Sequence, residues 1–144
     1  RLKIINLIGC ALLRFYIMCR ARHCARAVRE IWRVLKPGGK VIVTVWNMFS
    51  NWAEKKFNIN EQLKNIQEGF DKGDVTIPWK GTSGKTIQRY LRAFTKNELS
   101  KLFKDAGFKN VSAYYAIKET RVKSQNAKEG SDLVLVAEKQ AEAM

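Results

Sequence analysis

Residues 27–45, which read Ala-Val-Arg-Glu-Ile-Trp-Arg-Val-Leu-Lys-Pro-Gly-Gly-Lys-Val-Ile-Val-Thr-Val, place a helix, a turn and a buried strand in immediate succession. That succession restricts the fold more than any other part of the chain. Cys24, Val28, Ile31 and Leu35 return every three or four residues, while Arg22, Arg26, Arg29 and Arg33 point largely elsewhere, so the spacing predicts an amphipathic helix from Ala21. Lys36 suits the negative end of the helix dipole, and Pro37-Gly38-Gly39 stops the helix and reverses the chain in very few residues. Residues 40–46 then carry Val41, Ile42, Val43, Val45 and Trp46 with only Thr44 between them. Apolar side chains at both parities predict an interior strand of a parallel sheet, buried on both faces, and hence an α/β fold.

The remaining segments are read around that unit. Residues 3–8 form an almost continuous apolar run and predict a short strand, whereas residues 10–20 mix apolar residues with Arg and show no clean period. Residues 47–56 leave the carboxyl end of the buried strand, where open α/β sheets bind ligands. Residues 57–68 predict a weakly amphipathic helix, and residues 69–86, punctuated by five Gly or Pro, predict a long loop. Thr95 and Glu98 predict a capping box, with Phe94 and Leu99 placed to pack across it as a hydrophobic staple; Leu99, Leu102, Phe103 and Ala106 form the stripe that follows, and Gly107 the stop. Residues 108–117 and 131–138 predict two strands of an antiparallel hairpin, joined by a charged loop, and residues 139–144 a frayed tail.

A length of 144 residues allows one domain, and it is short for a complete doubly wound one. The net charge of +14 favours anionic partners. It is uneven, since residues 1–36 hold nine Lys or Arg and one acid, against eighteen and twelve in residues 37–144. Cys10, Cys19 and Cys24 lack zinc spacing and a disulfide pattern, which predicts no metal and a reducing, cytoplasmic compartment. The apolar stretch at residues 4–19 is short for a membrane span and is interrupted by Arg14, so no membrane role is expected. The chain opens on Arg1 rather than Met, which reads as a fragment.

Two tempting motifs fail on inspection. Gly81-Thr82-Ser83-Gly84-Lys85-Thr86 looks like a phosphate loop, but the glycine required five residues before Gly84 is Trp79, and neither a strand before nor a helix after is evident. His23, the only histidine, sits among arginines and reads as solvent-facing; no Ser/His/acid or metal cluster can be built on it. Trp46, Trp52, Trp79, Tyr90, Tyr114 and Tyr115 offer stacking surfaces, with Lys80, Lys85, Arg89 and Arg92 close to two of them. Such aromatics beside cations suit unstacked RNA bases and their phosphates, and equally a core with a basic rim; both readings stay open at this point.

Residues 27–45 resemble the segment around the fifth strand of class I S-adenosylmethionine-dependent methyltransferases. Gly73-Asp74-Val75-Thr76-Ile77-Pro78-Trp79, then Gln88-Arg89-Tyr90-Leu91-Arg92-Ala93-Phe94, Glu98-Leu99 and Ala106-Gly107-Phe108 resemble the lineage that methylates carboxymethyluridine at the tRNA wobble position. In that family an aliphatic-Pro-Trp element precedes an Arg-Tyr-Tyr-His-x-Phe element, and both line the substrate side. Here Leu91 stands at the second tyrosine and Arg92 at the histidine; Arg92 offers a planar fork for a carboxylate but no base near neutral pH.

The resemblance implies a single, incomplete methyltransferase domain over residues 1–144, a partial Rossmann-like sheet from the fifth to the seventh strand with flanking helices. Residues 1–24 match poorly, and residues 47–90 form a substrate-side insertion. It further implies S-adenosylmethionine as cofactor, tRNA as partner and a small activator subunit, with the wobble carboxylate attacking the methyl group in line. The substrate-side candidates are Trp46, Asn47, Pro78, Trp79, Arg89, Tyr90 and Arg92. The family's glycine-rich turn and acidic ribose ligand precede the matched region and have no counterpart here, so no cofactor residue and no catalytic residue is assigned. Two expectations follow from that gap: an edge beside the fifth strand that is open, and suited to self-association, unless residues 3–8 or another chain covers it; and, as the rival to an enzyme, a non-catalytic remnant or basic module that binds RNA or a partner.

Overall fold

A computed structural model describes residues 5–7, 10–14, 21–117, 120 and 122–141. In chain order the elements are β1 (Ile5–Leu7), β2 (Cys10–Arg14), α1 (Ala21–Val34), β3 (Lys40–Trp46), α2 (Asn51–Phe57), α3 (Ile59–Lys64), β4 (Asp74–Lys80), β5 (Thr86–Arg92), α4 (Lys96–Asp105), β6 (Lys109–Ala116), β7 (Lys123–Ser124) and β8 (Asp132–Glu138). Six strands form a mixed sheet in the order β1-β2-β3-β8-β6-β7, and β4 and β5 form a separate hairpin.

The helix-turn-strand reading describes the centre of the molecule. β2 and β3 are parallel, joined through α1, while β8 lies antiparallel between β3 and β6. Val41, Val43 and Val45 of β3 face Cys24, Val28, Ile31 and Leu35 of α1, and Leu99 and Phe103 of α4 join the same core with Leu133, Leu135 and Ala137 of β8. At about 25 cal/mol per Å² of apolar surface removed from water, side chains of this size each contribute on the order of 2 kcal/mol, so the core depends on this single sheet face. The α4 start has its full capping box: Thr95 Oγ1 accepts from Glu98 N, and Glu98 Oε2 accepts from Thr95 N. Phe94 and Leu99 are both buried in the core beside it. Gly107 ends α4 with φ +106°, a conformation that favours glycine, and a Cβ there would also crowd Trp32 of α1, standing 3.1 Å from its Nε1.

Several expectations are corrected. β3 is fully buried on one face only, because Ile42, Thr44 and Trp46 on the other are half-buried. The parallel sheet is confined to β2 and β3, and the remaining pairings in the six-stranded sheet are antiparallel. The unassigned stretch around residue 10 supplies β2, which covers the edge of β3 predicted to be open; residues 5–7 pair with β2 rather than with β3. The rest of the strand predicted at residues 3–8 lies outside the described residues. The helix predicted at residues 57–68 is instead two short helices that begin at Asn51. Ser50 caps the first, and Asn58 separates them because it adopts φ 52°, which asparagine tolerates and which no helix continues through.

The predicted loop at residues 69–86 holds the whole of β4, on one face of which Val75, Ile77 and Trp79 alternate, and the first residue of β5. Pro78 is compatible with this strand for a local reason. Thr76 turns its N–H and C=O outward to the Gln62 side chain, so residue 78, two positions on, also directs its missing N–H away from β5. Lys139 is not part of a frayed tail: its N–H bonds Gly39 O, and its Nζ donates to the Trp32 and Leu35 carbonyls at the end of α1. Residues 142–144 lie outside the described residues. Among the described residues no helix is long and apolar enough to cross a membrane.

Candidate functional site

Residues 47–93 leave the carboxyl end of β3 and build a second, smaller core. Met48, Ala53, Ile59, Val75, Ile77, Leu91 and Ala93 are buried together, with Trp46, Phe49, Phe57 and Leu63 against them. Leu91, which departs from the resembled family's tyrosine, has the apolar side chain this core requires, and it is only 5% exposed. Gln62 serves as a substitute strand on the outer edge of β4: its Nε2 donates to Thr76 O and Phe57 O, and its Oε1 accepts from Thr76 N.

The hairpin divides the predicted substrate residues between its two faces. Trp79 and Arg89 share the face of Val75, Ile77 and Leu91 but lie beyond the core, toward the tip. The Arg89 guanidinium stands 3.8 Å from the Trp79 ring centroid, and Trp79 remains 40% exposed. Exposed Ile87 pairs opposite Trp79, and Lys80 and Lys85 flank the turn. The turn is no phosphate loop: Gly81 N bonds Lys85 O, Gly84 N bonds Gly81 O, and a strand follows instead of a helix.

Pro78, Tyr90 and Arg92 share the opposite face with Asp74 and Thr76. Pro78 is exposed. Arg92 Nη1 pairs with Asp74 Oδ1 at 3.2 Å, and the second Asp74 oxygen accepts from Asp71 N at 2.6 Å. The Arg92 and Asp74 side chains are 14% and 1% exposed, so Arg92 neutralises a carboxylate of the chain itself. Tyr90 packs edge-on to Phe70, and its hydroxyl is buried with no hydrogen-bond partner among the described residues. Burial first, and the neighbouring Asp74 carboxylate second, hold the Tyr90 phenol well above its ordinary range, so it stays protonated.

Trp46 ends β3 half-buried against the second core. Asn47 is 1% exposed and fully engaged: its Nδ2 donates to Ala127 O at 2.6 Å and Gly130 O at 2.7 Å, and its Oδ1 accepts from Phe49 N. Its amide fastens the β3 exit to the loop before β8 and has no donor left for a ligand. Sequence reasoning gave Asp74 and Gln62 no role, because their partners lie 18 and 14 residues away and no local period marks them. His23 is exposed, and among the described residues no group of His, Cys, Asp or Glu is arranged to hold a metal.

A SAM-dependent methyltransferase of Methanosarcina mazei superposes with a TM-score of 0.57 at 19% identity, over 93% of this chain and 60% of that one. A SAM-dependent methyltransferase of Thermotoga maritima, described as a possible histamine N-methyltransferase, gives 0.55 at 20% identity, over 94% and 60%. One from Clostridium acetobutylicum gives 0.55 at 11%, over 96% and 61%. The fold is shared with S-adenosylmethionine-dependent methyltransferases. The chain spans about three fifths of the length of these methyltransferases. No protein-family model and no curated protein matches the sequence.

Two buried polar side chains at the carboxyl end of β3 are already engaged within the chain: the Asn47 amide is bound to backbone and Ser50 Oγ caps α2, so neither is turned toward a ligand. What the segment presents outward is an aromatic ring backed by a cation.

Proposed function

We propose that this chain supplies the substrate-recognising part of an S-adenosylmethionine-dependent methyltransferase acting on tRNA, with Trp79 stacking on an unpaired base and Arg89 holding the ring from behind. One observation carries the reading: the Trp79–Arg89 stack stands exposed at the end of a hairpin inserted after the central strand of a methyltransferase-like sheet. Stacking on an exposed indole contributes about 1–3 kcal/mol per base and tolerates any base, so the identity of the nucleotide depends on groups around it. The resemblance of the Pro78-Trp79 and Arg89-Tyr90 elements points to a wobble carboxymethyluridine and to methylation of its carboxylate, in the cytoplasm, with a small activator subunit. Lys80 and Lys85 at the hairpin tip are placed to neutralise phosphates beside that base. Arg92 and Asn47 act one step back, fixing the hairpin and the β3 exit. The committed Asn47 amide also favours a second reading, the same RNA contact without catalysis.

Methyl transfer separates the two readings. The protein as its gene encodes it, given tritiated S-adenosylmethionine and tRNA bearing wobble carboxymethyluridine, is expected to label the RNA with a methyl ester that mild alkali releases as methanol. Alkali-stable label contradicts the carboxylate as acceptor, and absence of label favours the binding module.

A further inference from the structure

We propose that the outer face of α1 is a second RNA contact, a docking surface for the phosphate backbone. This rests on RNA being the substrate but not on the hairpin residues assigned to it. Arg26, Arg29 and Arg33 are all exposed, and they lie opposite Cys24, Val28, Ile31 and Leu35, which are buried on the sheet. At 3.6 residues per turn and 1.5 Å rise, the three arginines occupy a stripe about 60° wide and roughly 10 Å long, and the sequence continues the spacing back to Arg22.

The residue type distinguishes this stripe from an ordinary solvated face. Seven of the ten arginines fall in residues 1–36, whereas fifteen of the seventeen lysines fall in residues 37–144. Solubility requires only charge, which the rest of the surface carries as lysine; the guanidinium fork adds paired donors that match phosphate oxygens. Glu30 is the only acid on α1, and it is engaged by Arg33 at 3.0 Å in a solvent-exposed pair. The Arg33 guanidinium, with help from Arg26, holds the Glu30 carboxyl below its ordinary range. Arg26 and Arg29 make no ion pair among the described residues.

Position and chemistry both favour RNA over an acidic protein. Because α1 crosses between the parallel strands β2 and β3, it runs antiparallel to them and begins at the end of the sheet where residues 51–92 emerge. An RNA strand whose base reaches the hairpin can therefore continue along the arginines. The stripe holds no apolar anchor of the kind that centres protein interfaces: Trp32 lies toward the core side under Lys139 Nζ, 4.1 Å from the ring, and Val34 falls outside the wedge.

Titrating the full chain with tRNA across salt concentrations tests the proposal. Changing Arg26, Arg29 and Arg33 together to Gln is expected to reduce the slope of log K against log salt by about 2–3, and Arg29→Gln alone by about 1. The corresponding triple Lys variant keeps the slope. Trp79→Ala lowers affinity without changing the slope, so failure of the stripe and failure of the hairpin assignment are distinguishable. Equal slopes for wild type and the Gln variants, as expected if an acidic protein occupies the stripe, overturn the proposal, as does the absence of tRNA binding by the wild-type chain. Should the triple variant misfold, the Arg29→Gln slope decides.

Discussion

Arg92→Ala is expected to lower the stability of the chain by about 3 kcal/mol, because it strips the counter-charge from a carboxylate that remains buried. Asp74 is 1% exposed at its side chain, and among the described residues its carboxylate accepts one further hydrogen bond, from Asp71 N. Without the guanidinium the hairpin has either to carry an unpaired charge or to open its first residue pair, Asp74 with Arg92. The arginine also lies over Phe94, 5.7 Å from the ring centroid, so its removal loosens the junction with the main core. Urea denaturation measures the effect. Adding Asp74→Asn to Arg92→Ala is expected to restore about half of the loss, since an amide is far less costly to bury than a charge. A change below about 1 kcal/mol for Arg92→Ala would show that the pair contributes no more than a surface salt bridge, leaving Arg92 available to a substrate carboxylate.

Asn47→Ala is expected to cost about 2–3 kcal/mol, through one buried and one part-buried carbonyl left without a donor. Ala127 O and Gly130 O both depend on Asn47 Nδ2, and Phe49 N depends on Asn47 Oδ1. The residue therefore holds together the β3 exit, the start of the inserted segment and the loop before β8. Asn47→Asp separates shape from hydrogen bonding, because a carboxylate of the same size keeps the acceptor for Phe49 but sets negative oxygens against two carbonyls. It is expected to be at least as destabilising as alanine. Unchanged unfolding midpoints for both variants would mean that the loop satisfies itself and that Asn47 is free to act on a ligand.

Much of the fold was legible because it is local. The α1 stripe, the Pro37-Gly38-Gly39 turn and the Thr95–Glu98 box are written in consecutive residues, and α1, β3 and α4 follow from them. What could not be read depended on distant pairing. β2 has no period of its own and is a strand because β3 offers a free parallel edge at residues 40–44. β4 was obscured by Pro78 and by the glycines around it, and its outer edge is completed by Gln62, a side chain with no strand signature. The candidate site divided in the same way. The Trp79–Arg89 stack follows from residue types already suggestive in the sequence, whereas alternation along β4 and β5 turned Pro78, Tyr90 and Arg92 to the other face. Asn47 looked like a ligand group because it follows the central strand, and Arg92 because it stands at the histidine of the resembled family; here backbone carbonyls and Asp74 had already claimed them.

The most direct test of the substrate-recognition role is the affinity of the chain for an anticodon stem-loop at fixed salt, with wild type compared against Trp79→Ala and Arg89→Ala. Loss of one stacked base predicts a roughly 10- to 100-fold weaker Kd for Trp79→Ala and a smaller loss for Arg89→Ala, with unfolding midpoints unchanged. Equal affinity of all three proteins for the stem-loop would contradict the account.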